Sequence, residues 1–165
     1  MPASLLPRLI VDHLTDLTPE LLGEYGIRSL FMDFDNTIVP YTTDVPTEAM
    51  DRWLTAMQES EIFLCVVSNS RNQRVVRFCN AHGLHCVTHS RKPFQKGIRE
   101  ALTRYRLDPK TTALVGDQIF TDVLGANCGG LTSILVTPIR LHNIWLKLRN
   151  VAEQPFIFLA RGRRR

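Results

Sequence analysis

Short apolar runs alternate along the chain with segments whose apolar residues recur at helical spacing. Met50, Trp53, Leu54 and Met57 recur at i, i+3, i+4 and i+7, which predicts a helix with one buried face. The run at 62–67 is apolar without interruption or alternation. A strand that is apolar on both faces is typical of a parallel sheet covered on both sides by helices.

The same alternation extends over the whole chain. Five strands are predicted, at 29–33, 62–67, 84–87, 112–115 and 131–136. A helix is predicted with Thr18 as its cap and Pro19 in its first turn. Further helices are predicted around 50–57, 75–82, 98–105 and 141–148, and in a short segment at 121–127. This order predicts a doubly wound, mainly parallel α/β sheet with helices on both faces. In such sheets the ligand site lies beyond the carboxyl ends of the strands.

Length and composition favour a single domain at 1–165. The chain has 165 residues, of which 44% are hydrophobic and 22% charged, with 9 Gly and 9 Pro. These values match globular proteins and exclude collagen-like, coiled-coil and wholly disordered chains. The longest apolar run is six residues, whereas a membrane-spanning helix needs about 20. The N-terminus has two early prolines and no continuous apolar region, so we expect a cytoplasmic protein.

The net charge of +4 conceals an asymmetry. Residues 140–165 contain seven Lys and Arg against the single acid Glu153, whereas the first 139 residues contain 13 basic and 15 acidic side chains. The apolar patch at 155–159 precedes four arginines, which predicts a basic tail at about 155–165. Aromatic anchors beside a polybasic cluster suit an anionic membrane surface better than a nucleic acid. A plain solvated tail is an equally favoured alternative.

Three of the predicted strands are followed by polar residues of related chemistry. These residues are Asp33-Phe34-Asp35-Asn36-Thr37, Ser68-Asn69, and Gly116-Asp117 with Asp122 five residues later. Residues i and i+2 at the end of an extended segment point to the same side, so Asp33 and Asp35 can flank one phosphoryl group. Phosphoryl transfer needs a nucleophile, neutralised phosphoryl oxygens and a proton for the leaving group. Carboxylate and carbonyl oxygens also suit Mg²⁺.

The set closely resembles the haloacid dehalogenase superfamily of phosphatases over about residues 29–138. The first motif of that superfamily is an apolar strand followed by DxDx[TV]. The resemblance implies that Asp33 is the nucleophile that becomes phosphorylated and that Asp35 is the general acid and base. It also implies a Mg²⁺ site formed by Asp33, Asp117 and the main-chain carbonyl of Asp35, with Asp122 in support.

The remaining motif residues imply contacts with the phosphoryl oxygens. Ser68 resembles the hydroxyl of the second motif, and Lys92, in the sequence Arg91-Lys92-Pro93, resembles the lysine of the third motif. Thr37 and Asn69 are expected to bind the same oxygens.

A dense run of His and Cys residues leaves a zinc site open as an alternative. His82, His85, Cys86 and His89 form an HxxHCxxH pattern that could hold zinc. Because structural zinc sites usually take their ligands from two separated segments, ordinary surface or core histidines are the favoured interpretation. The chain contains no GxGxxG, Walker A or HExxH motif, so nothing supports dinucleotide, P-loop or zincin chemistry.

The substrate prediction depends on the lengths of the segments between motifs. Segments 38–61 and 70–91 each have room for about one crossover helix and no cap domain, which favours a large substrate at an open site. The stretches LLP, DLTPE, DFDNT, VVSNS, RKP and VGDQxxTD resemble the YqeG / phosphatidylglycerophosphatase family. That resemblance implies a Mg²⁺-dependent phosphatase of a lipid head group, phosphatidylglycerophosphate. The basic C-terminal segment predicts peripheral attachment to an anionic membrane and no nucleic-acid partner.

Two alternatives to this function remain. The first is a phosphatase of a soluble sugar phosphate, nucleotide or phosphoprotein. The second is a non-catalytic binding module, against which the intact set Asp33, Asp35, Lys92 and Asp117 argues.

Overall fold

A six-stranded sheet in which every neighbouring pair of strands is parallel forms the centre of the computed structural model, which describes residues 4–71, 73–140 and 144–162. The strand order is β1-β6-β5-β2-β3-β4. The strands are β1 (Leu9–Val11), β2 (Ser29–Met32), β3 (Phe63–Val67), β4 (His85–Val87), β5 (Thr112–Gly116) and β6 (Thr132–Val136). The predicted doubly wound parallel α/β fold is confirmed.

The sequence pattern did not predict strand β1. Its three residues lie at the sheet edge and pair with β6, with Leu9 opposite Ile134 and Val11 opposite Val136. A run this short carries no detectable periodicity. The strand therefore depends on a partner more than a hundred residues away in the chain, which local sequence cannot reveal.

In residues 4–71, 73–140 and 144–162, six α-helices connect or cover the strands. They are α1 (Pro19–Glu24), α2 (Glu48–Glu59), α3 (Gln73–Ala81), α4 (Lys96–Tyr105), α5 (Leu124–Gly129) and α6 (Ile144–Gly162). Thr18 begins α1 as predicted, because its hydroxyl accepts a hydrogen bond from the Leu21 N–H at 3.2 Å. The short helix predicted at 121–127 is a π-helical turn, Ile119–Val123, that continues into α5.

The side chains of each central strand alternate between two apolar cores. Leu30 and Met32 of β2 pack in the core formed with α2 and α3, whereas Phe31 between them packs in the core with α4 and α5. Trp53 of α2 also donates a hydrogen bond to the Leu17 carbonyl at 2.7 Å. Burial on both faces explains why these strands are apolar without alternation.

Helix α6 changes the interpretation of the predicted basic tail. Residues 155–162 belong to this helix, and Phe156 and Ile157 pack against an apolar cluster of Ile119, Val123 and Leu135. The helix extends to Gly162, and this packing stabilises its C-terminal half. Phe158 remains 80% exposed.

Part of the predicted C-terminal pattern lies outside the described residues. Leu141, residues 163–165 and the side chains of Ile144, Trp145 and Leu148 belong to this part. No helix in the described part of the chain is long and apolar enough to cross a membrane.

Candidate active site

The polar residues predicted from the strand ends meet at one edge of the sheet. Asp33 directly follows β2, Ser68 follows β3 and Asp117 follows β5, and these three strands are neighbours. The Asp33 N–H donates to the Val115 carbonyl at 2.9 Å, which continues the ladder between β2 and β5 beyond the last strand residue. The sheet register therefore fixes the position of Asp33 relative to Asp117.

Lys92 lies at the centre of this group. Its ammonium is 2.6 Å from Asp33 Oδ1 and 2.8 Å from Asp122 Oδ1, and its side chain is 1% exposed. Asn69 holds the Lys92 loop in place, because its Oδ1 accepts from the Lys92 N–H at 2.7 Å and its Nδ2 donates to the Lys92 carbonyl at 2.9 Å. The Asn69 side chain thus contacts the loop that carries the lysine.

Three buried carboxylates surround the same point. Asp33, Asp117 and Asp122 each have an oxygen within 4.8 Å of an oxygen of the other two. A Cβ at Gly116 would lie 2.3 Å from the Asp122 carboxylate, so only glycine fits before Asp117. A donor set made only of oxygens, with three acids against one ammonium, fits a hard divalent cation. Asp122, predicted in a supporting role, is a full member of this group.

At both Asp33 and Lys92, burial and the oppositely charged neighbours shift the pKa in opposite directions. Burial raises the pKa of Asp33 to about 7, and the ammonium of Lys92 opposes this rise. Burial tends to lower the pKa of Lys92, but the carboxylates of Asp122 and Asp33 raise it above its usual range. Lys92 therefore stays protonated and keeps a positive charge beside Asp33.

Asp35 has a separate partner, Arg74, which sequence reasoning missed. The Arg74 guanidinium is 2.7 Å from Asp35 Oδ1 and donates to the Tyr41 carbonyl at 2.6 Å and the Pro40 carbonyl at 3.3 Å. It also lies 5.0 Å from the centre of the Phe34 ring. Burial raises the pKa of Asp35, and Arg74 opposes the rise. One feature of the sequence pointed to this contact: Arg74 lies in the first turn of α3, which starts at the same edge of the sheet as Asp35.

Two predicted phosphate contacts are buried beside the carboxylates. The Ser68 hydroxyl accepts a hydrogen bond from the Ser70 N–H at 3.1 Å, which leaves its own proton to donate. The Thr37 hydroxyl has no hydrogen-bond partner within the described part of the chain, although Thr37 is only 2% exposed. Both hydroxyls are therefore suited to donate to an anion.

The four residues of the HxxHCxxH pattern do not form a site. His82 stacks on Phe78 and faces Asp51, with 3.2 Å between Nε2 and Oδ1. His85 stacks on Phe63. Among the described residues, the three aspartates are the only cluster of metal-binding side chains.

Helix α6 adds a buried acid that the sequence analysis did not place in the site. Glu153 is 3% exposed and accepts a hydrogen bond from the Ile119 N–H at 3.0 Å. A cleft of about 120 Å³ lies between this helix and Asp117. A larger cleft of about 450 Å³ lies beside the loop after β2, between Thr37–Pro40 and Thr137–Ile139. Open space therefore borders Asp117 on one side of the site and Thr37 on the other.

Comparison with known proteins gives concordant results. A family model described as HAD-hydrolase-like matches residues 89–138. The chain is 34% identical over 134 residues to the protein named Probable phosphatase YqeG of Bacillus subtilis (strain 168), a match that covers 81% of this chain and 78% of that protein.

Solved structures share the fold at low sequence identity. One is the cobalt-bound deoxy-D-mannose-octulosonate 8-phosphate phosphatase (YrbI) of Haemophilus influenzae, with a TM-score of 0.54, 10% identity and coverage of 76% of this chain and 75% of that one. Another is the magnesium-bound HAD-type hydrolase YfnB of Bacillus subtilis, with a TM-score of 0.55, 13% identity and coverage of 72% and 90%.

Proposed function

Because this chain belongs to the haloacid dehalogenase superfamily and, within it, to the family of the YqeG phosphatase, we propose that it is a Mg²⁺-dependent phosphatase of phosphatidylglycerophosphate. The hydrolysis proceeds through a phosphorylated Asp33. The observation that carries this proposal is the convergence of Asp33, Lys92, Asp117 and Asp122 at one sheet edge, with Asp35 two residues from Asp33.

In the first step, a carboxylate oxygen of Asp33 attacks phosphorus while the bond from phosphorus to the leaving oxygen breaks. Asp35 gives its proton to that oxygen, so an alcohol leaves and an aspartyl phosphate remains. The raised pKa of Asp35 keeps a larger fraction of this carboxyl protonated, as the role requires. Lys92, Ser68 and Thr37 donate to the phosphoryl oxygens.

In the second step, a water molecule attacks the phosphorus of the aspartyl phosphate and gives one proton to Asp35. The bond between phosphorus and Asp33 breaks, which releases inorganic phosphate and restores the Asp33 carboxylate. Asp35 has then regained the proton that it lost in the first step. Arg74 holds Asp35 in both steps, since its guanidinium ties the carboxylate to the chain at Pro40 and Tyr41.

The side chains of Asp33 and Asp117 and the main-chain carbonyl of Asp35 would hold the Mg²⁺. Asp122 lies beside them and holds Lys92. When bound, Mg²⁺ neutralises negative charge on the phosphoryl oxygens. A divalent ion is supported by the three buried carboxylates, and solved structures of the same fold contain cobalt or magnesium.

The open access to the site supports a lipid head group as substrate. The segments after β2 and β3 each contain one helix and no further domain. The cleft of about 450 Å³ beside Thr37–Pro40 offers room for a leaving group larger than a small sugar. The YqeG-type sequence resemblance implies phosphatidylglycerophosphate.

Phosphate release from a substrate panel tests the proposal. The panel contains phosphatidylglycerophosphate in mixed micelles, a sugar phosphate, a nucleotide, a phosphopeptide and an aryl phosphate, each with Mg²⁺ and with a chelator. We expect Mg²⁺-dependent turnover with the highest kcat/KM for the lipid. A higher kcat/KM for a soluble substrate would contradict the lipid assignment and favour the soluble alternative. No turnover of any compound would favour a non-catalytic module.

A further inference from the structure

Large apolar side chains are exposed in the segments that follow the carboxyl-end edge of the sheet and on helix α6. In the part of the chain whose side chains are described, Tyr41, Val45, Phe94, Phe120 and Ile139 follow the carboxyl ends of β2, β4, β5 and β6, and Val151, Phe158 and Leu159 belong to α6. Helix α6 packs over the same edge, since Phe156 contacts Phe120 with their ring centres 6.2 Å apart. No exposed large apolar side chain is found on α1 to α5 within this part. Exposed apolar side chains that group together are a feature of interaction surfaces, whereas single scattered ones are ordinary.

The loops that follow β3 and β4 at this edge carry a positive charge excess. Residues 62–99 contain seven Lys and Arg and no Asp or Glu. Of these cations, Arg74 and Lys92 contact Asp35 and the Asp33 and Asp122 pair, respectively. Arg71, Arg91 and Lys96 are exposed, and Phe94 is 73% exposed in a turn closed by its N–H to the Arg91 carbonyl at 2.8 Å. Arg91 and Lys96 therefore flank an exposed aromatic residue along the chain.

We propose that this edge docks the protein on the surface of an anionic bilayer, with Phe94 in the lipid interface and Arg71 and Arg91 against lipid phosphates. The proposal rests on the proposed lipid substrate. The position of the active site indicates which partner covers this edge. A protein partner that covered the edge would block access to Asp33. A bilayer that covers it presents the substrate's phosphoryl group to the same opening.

The docking surface includes exposed residues of α6 and does not depend on them alone. Phe158 and Leu159 are exposed on α6, and Arg161 is exposed close to Asp12 after β1, with 3.9 Å between the guanidinium and Oδ1. These residues extend the surface formed by the loops. Removing loop cations should therefore weaken membrane binding even in a chain whose C-terminus is intact.

Vesicle co-sedimentation with charge-matched variants tests this proposal. The edge variant is Arg71→Gln with Arg91→Gln, and its control is Arg28→Gln with Lys110→Gln. The control residues are exposed immediately before β2 and β5, at the opposite edge of the sheet. Vesicles contain phosphatidylcholine alone or equal parts of phosphatidylcholine and phosphatidylglycerol. Phe94→Ser tests the aromatic contribution.

We expect binding to the anionic vesicles only. Each interfacial cation contributes about fivefold to binding, so the edge variant should bind roughly 30-fold more weakly at low salt, while the control matches the wild type. Phe94→Ser should bind several-fold more weakly. All variants should keep wild-type turnover of a soluble aryl phosphate, which also shows that they are folded.

Three outcomes would overturn the docking proposal: no binding to anionic vesicles, equal binding to neutral vesicles, or equal losses in the edge and control variants. The first of these would favour a protein as the occupant of this surface. Vesicle binding that depends on Arg71 and Arg91 without hydrolysis of the lipid phosphate would support docking and contradict the proposed substrate. The two proposals can therefore fail separately.

Discussion

At the amino-end edge of the sheet, the chain turns from helix to strand at Gly26, Gly83 and Gly130, each with left-handed backbone (φ 67°, 64° and 76°). Glycine adopts this conformation without the steric cost that a Cβ brings. Glu61 and Arg106 occupy the two remaining helix-to-strand turns in the same conformation. All five turns at this edge are therefore short reversals that serve to bring the next strand into the sheet.

At the carboxyl-end edge, the left-handed positions are Asn36, His89 and Arg91, which all carry side chains. The buried charged side chains in the described part of the chain are Asp33, Lys92, Asp117, Asp122 and Glu153, and all belong to this edge or to the helix above it. Burying charge and straining backbone both cost stability. The comparison shows that the buried charges, and with them the proposed chemistry, are concentrated at the carboxyl-end edge.

The largest expected effect is the loss of turnover in Asp33→Asn. The substitution keeps the side-chain size but removes the attacking oxygen, so kcat should fall on the order of 10⁴-fold or more. Phosphate release measures the loss, and circular dichroism checks the fold, which should be unchanged. Turnover near that of the wild type would show that the carboxyl-end edge is not catalytic in the way proposed.

Asp35→Asn should have an effect that depends on the leaving group. With an alkyl phosphate, whose leaving oxygen needs a proton, phosphoenzyme formation should slow by about 10²- to 10⁴-fold. With a nitrophenyl phosphate, formation should slow much less. Rapid-quench kinetics with both substrates measures the difference. Equal losses for the two substrates would contradict the assignment of Asp35 as general acid.

Arg74→Ala should reduce kcat for alkyl phosphates by roughly 10- to 100-fold, because the Asp35 carboxylate loses the group that orients it. KM should change less than kcat, and Arg74→Lys should recover part of the rate. Arg77→Ala is the matched control: Arg77 is exposed one turn along α3 and lies 3.8 Å from Asp44. If both alanine variants lost the same activity, Arg74 would have only a structural role.

Metal binding should stabilise the fold through the carboxyl-end edge. Three buried carboxylates face one ammonium there, so Mg²⁺ at 100 times its Kd should add about 2.7 kcal/mol of stability, or roughly 5–10 °C in Tm. Asp117→Asn should have little or no Mg²⁺-induced shift. A wild-type Tm that is the same in Mg²⁺ and in chelator would contradict the proposed ligand set.

The smallest effect is expected at the amino-end edge. A Cβ at Gly83 would meet only the side-chain amide of Gln58, at 3.9 Å, so Gly83→Ala adds backbone strain without a clash. Stability should fall by about 1 kcal/mol while kcat stays unchanged. Chemical denaturation and aryl phosphate turnover measure the two quantities. A large loss of kcat would contradict the separation between the two edges.

The sequence predicted most of the fold because the central strands and the helices have strong periodic patterns. Strands β2, β3 and β5 are apolar on both faces, and their ends carry Asp33, Ser68 and Asp117 in the order that places them together. Strand β1 was missed because its three residues depend on a distant partner. The extent of α6 was missed because its packing on Ile119 and Leu135 is a tertiary contact.

The sequence named the residues of the candidate site that belong to recognisable motifs, and no others. Arg74 and Glu153 could not be placed from the sequence, because their roles depend on which side chain faces them across the fold. Arg74 faces Asp35, and Glu153 faces the Ile119 N–H. A signal for Glu153 was present in hindsight, since it is the single acid among residues 140–165. A lone acid in a basic segment indicates a specific partner.

The most direct test of the central claim is a peptide map of the acid-quenched Asp35→Asn variant during turnover of nitrophenyl phosphate. In this variant the phosphoenzyme forms from an activated substrate but lacks the base that assists its hydrolysis, so it should accumulate. We expect one phosphoryl group on the peptide that contains Asp33, and none in the double variant Asp33→Asn with Asp35→Asn. A phosphoryl group on another residue, or steady turnover without any phosphorylated peptide, would contradict the account.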